Sequence, residues 1–173
     1  NIHDTMIYLK NSIAYPDNIR YYNAFEYMFI FSKGHPKTFN PICDKINSNA
    51  GQKVHGSERK KDGILKVKNG TQKGRSVKDF SVRYNYWLVN TSDRGLQNQH
   101  PAVFPLQLAT DHIISWSDEN EIIFDPFLGS GTTAIACLNT NRNYLGCEID
   151  KEYFEIAEKR IENQKKINKS KLF

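Results

Sequence analysis

The stretch DPFLGSGTT, residues 125–133, does most to limit what this chain can fold into. The run before it, EIIF, is short, apolar and β-like. The run after it, AIACLNTN, reads as helix, so Thr132 to Asn139 are expected to be helical. Between them, Gly129 and Gly131 allow a sharp turn and a close approach to the backbone. The alternation then continues. NRN turns the chain, YLGCEI is a second strand, and KEYFEIAEKRIENQKK is a long helix. In that helix Tyr153, Ile156, Ala157, Arg160 and Ile161 share one side at three-and-four spacing, with charges opposite. Upstream, residues 101–116 read as a helix with Pro105 in its first turn. Helix, strand, helix, strand, helix predicts a parallel α/β sheet with right-handed crossovers. Both strands are expected to be buried.

The first half is different. Residues 5–9 (TMIYL) and 25–31 (FEYMFIF) are rich in aromatic and β-branched residues and read as strands. A Pro-Asp-Asn turn signal lies between them. The second strand is apolar on both faces except at Glu26, which predicts burial inside a sheet. Arg20 or Lys33 is the expected partner of Glu26. Residues 35–98 show little helical periodicity, with one strand-like run near 84–89. So long a connection within a compact domain points to a functional or a disordered segment.

Size and composition close off some classes. A chain of 173 residues fits one domain and can bury a core without staples. Cys43, Cys137 and Cys147 are odd in number and widely spaced, which predicts reduced thiols in a cytoplasmic protein. His3, His35, His55 and His112 show no metal-ligand spacing, and no metal is expected. No apolar run is long enough to span a membrane, and no signal-peptide pattern opens the chain. The first residue is Asn, which suggests a processed, truncated or incomplete amino terminus. The net charge of +5 is uneven, with eleven Lys/Arg against four Asp/Glu in residues 51–94. A basic segment in an otherwise near-neutral chain points to a polyanion; the plainer alternative is a solvated, lysine-rich loop.

The glycine loop narrows the chemistry. A phosphate-binding P-loop needs G-x-x-x-x-G-K-[ST], and GSGTT has no lysine, which disfavours a nucleotide hydrolase. A dinucleotide loop wants a third glycine where Ala134 stands. Asp125 ends the loop's strand and suits an amine-bearing ligand rather than a pyrophosphate. Glu148, at the tip of the second strand, is placed to accept hydrogen bonds from ribose hydroxyls. Ile149 beside it can cover an adenine face. An adenosine with an amino-acid tail, S-adenosylmethionine, meets both ends. The alternative for the loop is an ordinary strand-to-helix turn capped by threonine. Asp150 is expected to be the N-cap of the last helix.

DPFLGSGTT followed by NRNYLGCEIDKEYFEIAEKRI resembles the cofactor half of the S-adenosylmethionine-dependent DNA amino-methyltransferases, which modify adenine N6 or cytosine N4. HPAVFPLQLATDHI is similar to the helix that precedes the loop in members with permuted motif order. NIRYYNAFEYMFIFSKGHPKTFNP is similar to the paired strands before their target-recognition region. The resemblance implies a Rossmann-like α/β fold and a site-specific DNA methyltransferase of the restriction-modification kind. It divides the domain into outer antiparallel strands (1–34), a loop-rich, basic target-recognition segment (35–98) and a cofactor-binding part (99–173). It implies cofactor contacts at His100, Pro101, Ala102, Phe104, Asp125, Pro126, Phe127, Gly129, Ser130, Gly131, Thr132, Thr133, Glu148 and Ile149, with Phe104 equally suited to packing. Position and charge together imply contacts with double-stranded DNA at Lys53, Arg59, Lys60, Lys61, Lys66, Lys68, Lys73, Arg75, Lys78 and Arg83.

One family element is absent. The catalytic signature [DNS]-P-P-[YFW] cannot lie in this chain, which has no Pro-Pro. In permuted members it precedes the region seen here. The chain therefore resembles a C-terminal portion, with an incomplete sheet that lacks the strands between the cofactor strands and the outer pair. A complementing N-terminal segment, in the same or a companion chain, is expected, and this chain alone is expected to be inactive. The alternative is a non-catalytic DNA-binding or specificity chain, a remnant or partner of a split enzyme.

Overall fold

A computed structural model describes residues 1–11, 18–53, 57–59, 61–67, 75–90 and 104–170. It divides into two compact units, Asn1–Asn40 with Asn85–Phe173, and Pro41–Tyr84.

The first unit holds two sheets. Strands β1 (Ile2–Lys10) and β2 (Phe25–Phe31) pair antiparallel, with Met6 opposite Met28. Strand β7 (Tyr86–Val89) pairs parallel with the other edge of β1, Tyr8 opposite Trp87. The run near 84–89 is thus a strand of this sheet, in the order β2-β1-β7. The second sheet is β8 (Ile122–Asp125) and β9 (Asn143–Gly146), parallel and joined through α2 (Thr132–Asn139). Helix α1 (Leu106–Trp116) precedes it and α3 (Lys151–Ser170) follows. Pro105 stands just before the helix as N-cap, in an extended conformation, rather than within the first turn. Helix α3 continues past the expected end at residue 166 to Ser170.

Helix α1 serves both sheets. Leu108 joins Met6, Tyr8, Trp87 and Val89 in one core cluster. Ala109 and Ile113 pack with Ala136 and Cys137 of α2 and with Ile123 and Tyr144 in a second. Ala134, Ala157 and Ile161 form the third, between α2 and α3. Each large apolar side chain so buried contributes about 1.5–3 kcal/mol. The clusters are small because each sheet is covered on one face.

That overturns three expectations of burial. Ile122 and Phe124 of β8 are 70% and 57% exposed, and Leu145 of β9 is 60% exposed. Strand β2 exposes Phe25, Tyr27, Phe29 and Phe31, whose rings form a ladder with centroids 5.4, 5.8 and 6.4 Å apart. Alternate residues of a strand face opposite ways, and the helices reach one side only. Among the described residues nothing covers the other. Glu26 is also corrected, because its ion pair is with Lys10 rather than Arg20 or Lys33. Glu26 lies opposite Tyr8, so Lys10 is its diagonal neighbour on the same face of the sheet.

The second unit, inside the segment set apart on sequence, is built from short pairs. Strands β3 (Lys45–Ile46) and β6 (Phe80–Ser81) pair antiparallel, as do β4 (Ser57–Arg59) and β5 (Leu65–Val67).

Candidate functional site

The loop leaves β8 at Asp125 and enters α2 at Thr132. It turns through left-handed backbone at Gly129 (φ 53°) and Gly131 (φ 85°). A side chain at either would be strained. Gly131 has a second reason to lack one: a Cβ there would lie 3.1 Å from the Cβ of Ala157. Helix α3 therefore packs directly behind the turn. Gly146 plays a similar part at the end of β9, where a Cβ would lie 2.9 Å from the Leu128 side chain. Backbone bonds tie the two strand exits together, Leu128 N–H to Cys147 O at 2.8 Å and Cys147 N–H to Asp125 O at 3.0 Å.

Two carboxylates fasten the loop from within. Asp125 accepts from the Phe127 N–H at 2.9 Å on Oδ1 and from the Thr133 hydroxyl at 2.6 Å on Oδ2. Glu148 accepts from the Gly129 N–H at 2.7 Å on Oε2 and from the Asp150 N–H at 2.9 Å on Oε1. An ionised carboxylate has about four acceptor sites, so each keeps capacity for a ligand. Asp150 is the N-cap read from sequence, its Oδ1 accepting from the N–H groups of Glu152 and Tyr153 at 2.8 and 3.1 Å.

A cation fastens the loop from behind. Arg160 of α3 donates through Nη1 to the Ser130 carbonyl and, at 2.8 Å, to the Ser130 hydroxyl. Ser130 and Thr132 are buried, and Ser130 is held there by Arg160 of α3. On sequence Arg160 was one member of an apolar helix side, and nothing local signals its contact thirty residues back. Ahead of the loop, Ile135 N–H donates to Gly131 O and begins the helical ladder. The N–H groups of Thr132, Thr133 and Ala134 precede it and have no carbonyl within the helix to receive them. Gly131, the N-cap, offers no side-chain bond either. The loop thus presents polarised donors beside two acidic groups, and Phe127 and Ile149 stand exposed nearby in sequence.

Phe104 is exposed ahead of α1, whereas His100, Pro101 and Ala102 lie outside the described residues. Pro126 is exposed in the turn after β8. Cys137 is fully buried in α2, and burial pushes its thiol up to about 11. A buried thiol raised in this way is mostly protonated near neutral pH. Among the described residues no group of three or more His, Cys, Asp and Glu could hold a metal. No helix among them is long and apolar enough to cross a membrane.

In the second unit Lys53, Lys61, Arg75 and Lys78 are exposed. Arg59 and Lys66 lie on the β4–β5 pair, opposite Leu65 and Glu58. Lys60, Lys68 and Lys73 fall outside the described residues. Arg83 is engaged: its guanidinium grips Asp44 through Nε at 3.0 Å and Nη2 at 2.5 Å, holding that carboxyl below the usual carboxylate range. Lys45 sits 4.4 Å over the Tyr84 ring.

Residues 1–159 match a family described as DNA methylase, of the N6/N4 type. The orphan methyltransferase M.BamHII of Bacillus amyloliquefaciens is 51% identical over 171 residues, which is 94% of this chain and 63% of that protein. The type II methyltransferase M.Cfr9I of Citrobacter freundii is 34% identical over 85 residues, 49% of this chain and 28% of that protein. Among solved structures, the M1.HpyAVI–SAM complex superposes with a TM-score of 0.59 at 29% identity, covering 92% of this chain and 62% of that one. PvuII DNA methyltransferase, cytosine-N4-specific, superposes with a TM-score of 0.59 at 18% identity, covering 93% and 55%, a likeness that shows the α/β methyltransferase fold. The chain spans under two-thirds of the length of these proteins.

Proposed function

This chain belongs to the N6/N4 DNA methylase family, and from that premise we propose that its glycine loop holds S-adenosylmethionine for methyl transfer to an exocyclic amine of adenine or cytosine in duplex DNA. The observation that carries the reading is the pairing of Glu148 with the Gly129 N–H, beside the open first turn of α2. It sets an acceptor for ribose hydroxyls next to donors for a carboxylate, the two ends of one ligand. When bound, the cofactor supplies a methyl group already activated on a sulfonium. Asp125 has acceptor capacity for its amine, and Ile149, exposed past Glu148, suits an adenine face. Phe127 and the residues from Ser130 to Thr133 complete this wall; Phe104 and Pro126 are further proposed contacts, as are His100, Pro101 and Ala102, which lie outside the described residues.

The second unit is the proposed DNA-contacting part. Lysines and arginines from Lys53 to Lys78 supply phosphate contacts, and Arg83 contributes less because Asp44 already neutralises it. The target base is turned out of the duplex to reach the methyl group. This work on DNA fits the cytoplasmic location expected from the sequence.

The exocyclic amine is a weak nucleophile, its lone pair delocalised into the ring. Groups that accept its hydrogens must hold nitrogen, methyl carbon and sulfur in line. The chain has no Pro-Pro turn to do so. A complementing segment, in the same protein or a companion chain, supplies that turn and covers the bare faces of β2, β8 and β9. Support comes from those exposed apolar faces and from the length of the relatives. Family membership favours this enzyme over a DNA-binding remnant. Transfer of labelled methyl from S-adenosylmethionine to duplex DNA by the complemented protein tests the reading. Bound cofactor with no labelled DNA would overturn the assigned reaction.

A further inference from the structure

We propose that Arg160 is a positioning residue for the cofactor loop, acting through Ser130 without touching the ligand. This rests on the cofactor reading above. The Ser130–Gly131 peptide is the pivot of the turn, with Gly131 at φ 85° immediately before α2. Its N–H donates to the Leu128 carbonyl at 2.9 Å, and its C=O receives Arg160 Nη1. The same nitrogen holds the Ser130 hydroxyl at 2.8 Å, so peptide and side chain are set together. One residue earlier in the turn, Glu148 holds the Gly129 N–H. A cation and an anion thus pin adjacent residues of the turn. The N–H groups of Thr132 and Thr133, the donors assigned to the ligand in that reading, follow directly, and their aim depends on the pivot.

The placement of Arg160 is set by packing. It stands one turn beyond Ala157, whose contact with Gly131 brings α3 against the loop. A charged head half-buried at a helix–loop joint is costly unless its hydrogen bonds are made. Here Nη1 makes both of its bonds to the residue that positions the donors. The positive charge behind the loop also adds to the field at the start of α2, which favours a carboxylate in front.

The test uses the complete protein with wild type, R160Q, R160K and S130A. Affinity for S-adenosylmethionine is measured by calorimetry, DNA affinity by titration, and fold by thermal unfolding. R160Q is expected to lose roughly tenfold to a hundredfold in cofactor affinity, the size of lost hydrogen bonds to a charged group. DNA affinity should stay unchanged. R160K should recover part of the loss, because an ammonium can reach the carbonyl without the planar fork. R160Q and S130A together should cost less than the sum of each, since they share a bond. A folded R160Q with wild-type cofactor affinity overturns the proposal alone. Equal losses of cofactor and DNA binding in R160Q and R160K would reduce Arg160 to a general structural role and also overturn it. A wild-type protein that does not bind the cofactor overturns the reading beneath it.

Discussion

Glu148 Oε2 receives the Gly129 N–H at 2.7 Å, joining the exit of β9 to the glycine turn after β8. The two residues are nineteen apart in sequence and belong to different strand exits. A single carboxylate therefore shapes the loop, and in the proposed reading the same group receives a ligand's hydroxyls.

Replacing Glu148 by Ala is expected to weaken S-adenosylmethionine binding by about 1–3 kcal/mol, the cost of losing hydrogen bonds to a charged acceptor. Glu148→Gln should lose less, since its amide oxygen can still accept from one side. Calorimetry on the complete protein is the measurement. Equal affinity in wild type and E148A would remove Glu148 from the site.

Gly131→Ala is expected to destabilise the fold by about 1–2 kcal/mol or more, because the left-handed backbone is strained with a Cβ. The new methyl also meets Ala157 at 3.1 Å, which neither helix can relieve without shifting. The denaturation midpoint should fall with an unchanged slope. An unaltered midpoint would mean that α3 does not pack here as described.

Charge reversal of Lys60 and Lys61 should lower affinity for all DNA sequences alike and flatten the dependence on salt, as expected when phosphate contacts are lost. Arg83→Ala should change the salt dependence less, because Asp44 already holds its charge. A change in which sequence is bound would show that the lysines read bases instead.

Cys137 gives a prediction in pH. Burial raises its thiol from 9.0 to about 11, so the folded state keeps a proton that the unfolded state releases first. Stability from this group is whole below pH 9 and is lost as pH rises toward 11. Cys137→Ala should flatten that stretch of the unfolding curve against pH. In native protein at pH 8 a thiol reagent should label the exposed Cys43 and Cys147 and spare Cys137. Rapid labelling of all three thiols without denaturant would contradict the buried position.

Residues 1–173 by themselves are expected to transfer no methyl group to DNA, because the chain has no Pro-Pro turn to shape an amine acceptor site. Loss of such positioned groups removes several kcal/mol of barrier lowering. A tritiated-methyl assay on purified residues 1–173 is decisive. Clear turnover would place the catalytic groups among residues now given other roles.

The local pattern determined a good deal. Alternating strand and helix signals around DPFLGSGTT specified the β8-α2-β9-α3 unit, because the glycines, the turn at NRN and the Asp150 cap act over a few residues. The acidic tip at Glu148 was legible too, since strand ends and loop starts are set by nearest neighbours. Tertiary structure alone decided the rest. Strands β2, β8 and β9 are apolar enough to be buried twice, yet alternation cannot say whether a second layer arrives. Lys10 became the partner of Glu26 through the register of β1 and β2, which is a fact about pairing rather than about either strand. Arg160 acquired its hold on Ser130 because Gly131 let α3 come close. Contacts between residues far apart in sequence depend on how surfaces pack, and no short window of sequence contains that geometry.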